Sequence, residues 1–363
     1  MSTSRHSNHS VPPSNVLIVG AGLAGARCAD TLRAEGFTGR ITLVGEEPTG
    51  PYERPALSKE FLAGKRPAAN LLLRTAESYA ERGVEFLSGT RVMSIVGRTA
   101  MTTDRRSIPW DALVIATGAS ARGLALGRHR LRTLADSERL RAALGRDGRL
   151  TVVGTGLVGT EVASTACSLG AEVTLIGNPP LERLLGPEVA ALLAERHLEH
   201  GVSLAPRGTE PGSGIVLDAV GTRPATRWLR GLVPLRPDGS IVADACGRTS
   251  IPGVLACGDV TGTGHWTAAA GQGAAAARAI LGQGHPYDDV PYYWSDQVGL
   301  RLQQVGDARL ATSAELEGDL DCLRARYLDR GGRLVAALLV NRPQEVGELR
   351  RELASVRPDR AAA

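Results

Sequence analysis

At 363 residues the chain exceeds the roughly 250–300 at which one hydrophobic core stops growing, so more than one domain is expected. Its 44 glycines and scarce aromatics suit nucleotide-binding sheets with close backbone approaches and argue against a disordered or fibrous chain. The net charge of +4 is spread along the chain without the stripe of a nucleic-acid surface, and no apolar run nears the ~18–20 residues of a membrane helix.

Residues 1–14, "MSTSRHSNHSVPPS", read as a polar, disordered tail without the apolar stretch of a signal peptide, so the cytoplasm is the expected location. The apolar run Val16-Leu17-Ile18-Val19 then leads into Gly20-Ala21-Gly22-Leu23-Ala24-Gly25, a helical stretch to about Ala34, and a second strand Ile41-Thr42-Leu43-Val44. A lone GxGxxG is weak, but strand, glycines, helix, strand and a terminal acid make the whole dinucleotide fingerprint. Gly20 allows the turn, Gly22 lets a pyrophosphate near the backbone, and Gly25 lets helix meet strand. Glu46, about 21 residues after Gly25, is placed to accept hydrogen bonds from an adenosine ribose. The loop "PYERPALSKEFL" follows at 51–62, with Glu53, Arg54, Lys59 and Glu60 set among two prolines, an aromatic and a serine: fixed charge and little freedom.

Asp111 to Gly118 reads as a strand running into a small-residue turn, where Thr117 and Gly118 let backbone pass near a nucleotide. The fingerprint then recurs: a strand at 150–153, Gly154-Thr155-Gly156-Leu157-Val158-Gly159, a helix through Leu169 and a strand at 172–176. Two fingerprints imply two dinucleotides, and the commonest chemical pairing is a flavin receiving hydride from a nicotinamide. The second unit departs at Gly177-Asn178, where an acid would hold the ribose 2′-hydroxyl, and the nearest arginine for a 2′-phosphate, Arg183, lies six residues on. Val202 to Gly221 is also short, passing almost directly from a third strand to the closing V-G-T-R-P. Ile251 to Asp259 reads as a strand whose Gly258-Asp259 end suits a ribityl chain, and the small-sided helix from Trp266 implies a close neighbour. The stretches 322–328 and 333–340 form a hairpin about Gly331-Gly332, and 343–354 a helix. The five cysteines show no CxxC or CxxCH, which argues against a redox disulfide, structural zinc or covalent haem; no metal site is expected. Each reads as a small buried apolar residue.

Together these segments, with "ATGA" at 116–119, "GVLACGDV" at 253–260, "HWTAAAGQGAAAARAIL" from 265, "VPYYWSDQVGLRLQQVG" at 290–306 and "NRP" at 341–343, resemble the pyridine nucleotide-disulfide oxidoreductases of the oxygenase-coupled ferredoxin reductase type, the putidaredoxin reductase-like family. The resemblance implies an α/β chain with two Rossmann-like dinucleotide-binding domains, for FAD and NAD(P)H, and a small C-terminal α+β interface domain. Residues 15–122 and 240–289 would form a discontinuous FAD domain, 123–239 a shortened NAD(P)H domain and 290–363 the interface domain. It implies FAD with NADH or NADPH, an iron–sulfur ferredoxin as partner, and a cytochrome P450 or Rieske-type oxygenase downstream.

By the same resemblance Arg54 lies against the FAD, and Lys59 stands near flavin N5 paired with Glu161; a cation there favours the reduced ring. Read from the residues alone, Glu161 is equally an acid welcome in the first turn of a helix. The resemblance places Asp259 on the ribityl chain, Glu46 on the adenosine ribose, Trp294 near the flavin where electrons leave, and Trp266 close by; core packing is the ordinary role of a tryptophan. Arg301, Arg309 and Arg342 are candidates to steer an acidic ferredoxin or plain solvated arginines. Two rival readings stand beside the reductase: a flavin-binding module with impaired nicotinamide use, suggested by Gly177 and the short 202–221 stretch, and a flavoenzyme reducing oxygen or a small molecule directly.

Overall fold

The computed structural model describes residues 13–229 and 231–355, so most of the expected tail, and the last residues of the expected interface domain, lie outside the described residues. Five parallel strands form the first sheet, in the order Val254–Ala256, Ala112–Ile115, Asn15–Val19, Arg40–Val44, Val84–Leu87. Its central strands are buried along nearly their whole length, because both faces are covered, which is why the sequence shows apolar runs here and no alternation. Val16 and Ile18 face the helices Leu23–Ala34 and Trp266–Ile280, while Leu17 and Val19 face a layer built by the antiparallel strands Val92–Val96, Thr99–Thr102 and Ser107–Pro109 together with Leu229, Val233 and Ile241. The close neighbour of the small-sided helix is the Leu23–Ala34 helix: a Cβ at Gly273 would lie 2.3 Å from the Ala24 carbonyl oxygen.

The second sheet has four parallel strands, Val202–Ala205, Glu172–Ile176, Arg149–Val153 and Ile215–Asp218, and the span 206–214 is all that joins the outer two. Part of its core is borrowed. Tyr52, Ala56, Leu57, Phe61 and Leu62, from the loop that follows the first unit, pack with Leu134 and Leu140 of helix Leu134–Asp147 and with Val162, Ala163 and Ala166 of helix Leu157–Ser168. The stiff loop is therefore an inter-unit plug. A two-stranded antiparallel ribbon, Ala119–Ala121 with Thr222–Pro224, marks where the chain crosses between the two sheets.

Strands Tyr292–Gln297, Leu300–Gly306, Leu334–Val340, Arg324–Leu328 and Ser313–Glu317 make an antiparallel third sheet. Helix Val346–Ser355 covers one face, and Leu181, Leu185, Val189 and Leu193 of the second unit cover the other. The expected hairpin and helix are present with later starts, since 320–322 and 343–345 are 3₁₀ turns. Cys28, Cys246 and Cys257 are buried as expected, whereas Cys167 is half-buried and Cys322 exposed. Among the described residues no helix is long and apolar enough to cross a membrane.

Two glycine substitutions with opposite signs test this packing. A Cβ at Gly25 would lie 2.0 Å from the Gly20 carbonyl oxygen, so Gly25→Ala is expected to destabilise by about 3 kcal/mol or more. Gly145, inside helix Leu134–Asp147 with nothing within 4 Å of its would-be Cβ, should gain about 0.5–1 kcal/mol as Gly145→Ala. Thermal denaturation of the two variants should move the melting temperature in opposite directions.

Candidate active site

The two glycine turns are built alike. Gly20 (φ +114°) and Gly154 (φ +113°) adopt a backbone that favours glycine, and a Cβ on either would lie within 2.4 Å of a carbonyl oxygen of the neighbouring strand's exit, Ala116 or Ala219. Gly25 and Gly159 pack onto the carbonyls of Gly20 and Gly154. The middle glycines differ from both: nothing lies within 4 Å of a Cβ placed on Gly22 or Gly156, so no protein atom requires glycine there. Each is the N-cap of its helix, and no side chain caps either one. Uncapped helix N–H groups facing open ground, at a residue kept without a side chain, fit a dinucleotide pyrophosphate at both turns.

Beside the first unit, Arg54, Tyr52, Glu47, Arg132 and Asp259 form one polar cluster. Arg54 pairs with Glu47 (Nη2 to Oε1, 2.7 Å), donates from Nη1 to Tyr52 Oη (2.8 Å) and the Arg132 carbonyl (2.7 Å), and lies over the Tyr52 ring. Burial pushes the Tyr52 phenol well above its ordinary pKa, and its hydroxyl donates to Glu47 Oε2 at 2.7 Å. Asp259 faces Arg132 at 2.5 Å. Gly258 bends with φ +79°, and its N–H donates to Gln272 Oε1 at 2.8 Å. Thr117 donates to the Ala225 carbonyl (2.9 Å), and Gly118 turns beside Arg132. Trp266 and Trp294 meet edge to face with ring centroids 5.7 Å apart, Tyr292 stacks on Trp294, and the buried Trp266 Nε1 has no hydrogen-bond partner among the described residues. That orphaned donor fits a bound ring system with carbonyl and nitrogen acceptors.

Glu46 lies outside this cluster: its side chain is 67% exposed and among the described residues meets only Arg91, at 3.4 Å. The adjacent Glu47 is the acid that turns inward. Register clarifies the second unit as well, because Gly20 N–H bonds the Val44 carbonyl and Gly154 N–H the Ile176 carbonyl. Gly177 therefore matches Gly45, and Asn178 matches Glu46.

Lys59 and Glu161 form the buried pair that the resemblance implies, Nζ to Oε2 at 2.8 Å with side-chain exposures of 9% and 6%. The same carboxylate accepts hydrogen bonds from Ser58 Oγ and, on its other oxygen, from Ser295 Oγ at 2.7 Å. Gln297 donates to Ser295 Oγ (2.8 Å), and Gln297 Oε1 meets Nε2 of the buried His197 at 3.0 Å. Strand Tyr292–Gln297 alternates in burial, which aims Ser295 and Gln297 inward beside Tyr293. One polar chain thus joins the plug loop, the helix of the second turn, the C-terminal sheet and helix Pro187–Glu199. Ser295 and Gln297 were visible only as letters of the Trp-Ser-Asp-Gln segment. Glu47, Tyr52, Arg132 and His197 were missed as site residues, and nothing local marks Arg132 or His197.

The three arginines considered for steering all have acidic partners at hand: Arg301 is 3.7 Å from Asp296, Arg309 is 2.7 Å from Asp307, and Arg342 pairs with Glu345 and Glu317.

Removing one partner from a buried pair strands the other charge. Lys59→Met is expected to destabilise by roughly 3–5 kcal/mol, with much of the loss recovered in the double variant Lys59→Met/Glu161→Leu. Equal melting temperatures for the single and double variants would contradict this. Burial also holds His197 below its ordinary pKa of 6.5, so the unfolded chain takes up a proton that the fold resists as pH falls. Its contribution is present above pH 6.5 and lost below it. His197→Gln should flatten the fall of melting temperature between pH 6.5 and 5, although His129 and His265, shifted the same way by burial, keep part of the slope.

The pyridine nucleotide-disulphide oxidoreductase family matches residues 14–210 and 204–273, and the reductase C-terminal family matches 292–363. The chain is 33% identical to the ferredoxin–NAD(+) reductase component of the p-cumate 2,3-dioxygenase system of Pseudomonas putida, over 96% of each chain. It is 34% identical to putidaredoxin reductase of the same organism, over 92% of this chain and 90% of that one. The reductase in the crystal structure of the covalent putidaredoxin reductase–putidaredoxin complex superposes with a TM-score of 0.86 at 32% identity, covering 94% of this chain and 93% of that one. With two matching glycine turns and a buried Lys–Glu pair on the helix of the second, the chain belongs to the pyridine nucleotide-disulphide oxidoreductases, among the ferredoxin reductases that carry the reductase C-terminal domain.

Proposed function

We propose that this chain takes reducing equivalents from NADH and delivers them to an iron–sulfur ferredoxin that serves a cytochrome P450 or Rieske-type oxygenase. The observation that carries the reading is the Lys59–Glu161 pair, buried on the helix of the second glycine turn and tied to the C-terminal sheet through Ser295. Bound FAD would supply what side chains lack, acceptance of a hydride as two electrons and release of one electron at a time.

Residues 15–122 with 240–289 are assigned to FAD, 123–239 to the nicotinamide and 290–363 to the interface with the ferredoxin. Gly20, Gly22 and Gly25 would hold the FAD pyrophosphate, with Glu46 left for the adenosine ribose at the rim. Arg54, Thr117, Gly118, Gly258 and Asp259 would line the remainder of the cofactor, with Trp266 and Trp294 beside its ring. Gly154, Gly156 and Gly159 would receive the nicotinamide nucleotide.

Lys59 holds positive charge in a water-poor site, and Glu161 holds Lys59; such a cation stabilises negative charge that develops next to it and needs no reorganisation to do so. No side chain here has to carry a proton for hydride transfer. Cytoplasmic location is assigned with this function, in keeping with the lack of a membrane-spanning helix among the described residues.

Anaerobic mixing with NADH should bleach the visible flavin band, and an added [2Fe–2S] ferredoxin should then be reduced. Trp294→Ala should slow the second step and leave the first nearly unchanged. A flavin that dithionite bleaches and neither NADH nor NADPH does would sink the proposal in favour of a flavin-binding module.

A further inference from the structure

Strand Glu172–Ile176 ends in Gly177-Asn178, without an acid for the nucleotide ribose. At Gly177 (φ +157°) a Cβ would lie 2.8 Å from Thr155 Cγ2 and 3.1 Å from its Oγ1, inside the second glycine turn. Thr155 thus crowds any side chain at position 177, and Asn178, the residue in register with Glu46 of the first unit, carries no charge.

Beyond the strand the chain doubles back over the same turn. Leu181 N–H donates to the Thr155 carbonyl at 2.9 Å. Leu181 itself holds φ +59°, a left-handed conformation that a residue with a side chain adopts only where the surroundings dictate it. Its side chain, 3% exposed, is locked into the core shared with Leu300 and Leu302 of the C-terminal sheet. Anchored at both backbone and side chain, this strained residue sets the half-buried Glu182 down next to the glycine turn. Glu182 Oε2 accepts a hydrogen bond from Asn178 Nδ2 at 3.1 Å, so it is tethered to the residue in register with Glu46 of the first unit. Among the described residues Glu182 has no cation within 4 Å, which leaves its charge and its second oxygen uncommitted.

We propose that Glu182, steadied by Asn178, selects NADH over NADPH by supplying from the returning chain the carboxylate that the strand end lacks. An ionised carboxylate accepts from both a free 2′-hydroxyl and its own tether, and it repels a 2′-phosphate. The inference rests on reading the second glycine turn as the nicotinamide site. It replaces the expectation that Gly177 leaves the choice of nucleotide open.

The test is the pair of dissociation constants for NAD+ and NADP+, measured by calorimetry on the FAD-loaded protein, where no turnover occurs. The wild type is expected to bind NAD+ more tightly, and Glu182→Gln should narrow the NAD+/NADP+ ratio about tenfold or more, the scale of one charged hydrogen bond. Asn178→Ala should narrow it by less, since the carboxylate remains but loses its tether. Preference for NAD+ unchanged in Glu182→Gln would overturn the inference and leave the reductase reading intact. Preference of the wild type for NADP+ would also overturn it, pointing to the exposed Arg183. Binding of neither nucleotide would overturn the reading of the second turn itself, and the inference with it.

Discussion

The arrangement depends on one buried ion pair. Taking a lysine and a glutamate out of water costs several kcal/mol per ion after relaxation, and their attraction offsets this only if the remaining lone pairs are satisfied. Here that satisfaction comes from separate parts of the chain: Ser58 from the plug loop and Ser295 from the C-terminal sheet, both on the carboxylate carried by the second unit's helix. No single unit contains the complete arrangement. Assembly of the three units and solvation of the pair are therefore the same event, and the ammonium is held only where all three meet.

That requirement explains the composition of the 51–62 loop. A flexible charged loop would lose conformational entropy to hold Lys59 in place, whereas a loop with prolines at 51 and 55 and buried Leu57, Phe61 and Leu62 is already positioned by the core it enters. The two dinucleotide units share their glycine turns and diverge in what comes next. After the first, the chain leaves its own sheet and fills the core of the other; after the second, it returns over its own turn through Leu181.

Legibility in the sequence followed the range of the interactions. Both glycine turns and the parallel strands around them were readable because their causes are local: a left-handed glycine, an uncapped helix start, an apolar run covered on both faces. The Lys59–Glu161 pair spans 102 positions and became readable only through resemblance. Glu46 and Glu47 could not be told apart, because which acid turns inward depends on Arg54 and Tyr52 arriving from the loop, and among the described residues the exposed one has no partner but Arg91. The alternation that buries Ser295 and Gln297 is present in the letters, yet polar residues on an inward face read as outward ones until Glu161 and His197 are known to face them. Arg132 carries no local signal at all; its partner Asp259 lies 127 positions away.

The short 202–221 stretch bears on the second dinucleotide site through the sheet's edge. A parallel sheet that ends at Ile215–Asp218 would expose the backbone of that strand, a template for aggregation and a weak support for the adjacent glycine turn. In this chain the segment entering the second unit takes that place: His129 N–H donates to the Val216 carbonyl (2.8 Å), and the His129 carbonyl accepts from Asp218 N–H (2.9 Å). The buried Asp218 then accepts from Leu124 N–H at 2.6 Å and pairs with Arg128 at 3.3 Å, pinning the segment along the strand. Because Ala219, next in the chain, is the residue whose carbonyl abuts Gly154, this pinned edge also fixes one wall of the glycine turn. The short stretch therefore leaves the turn held, which is why by itself it gives no support to a module that has lost the use of its nicotinamide.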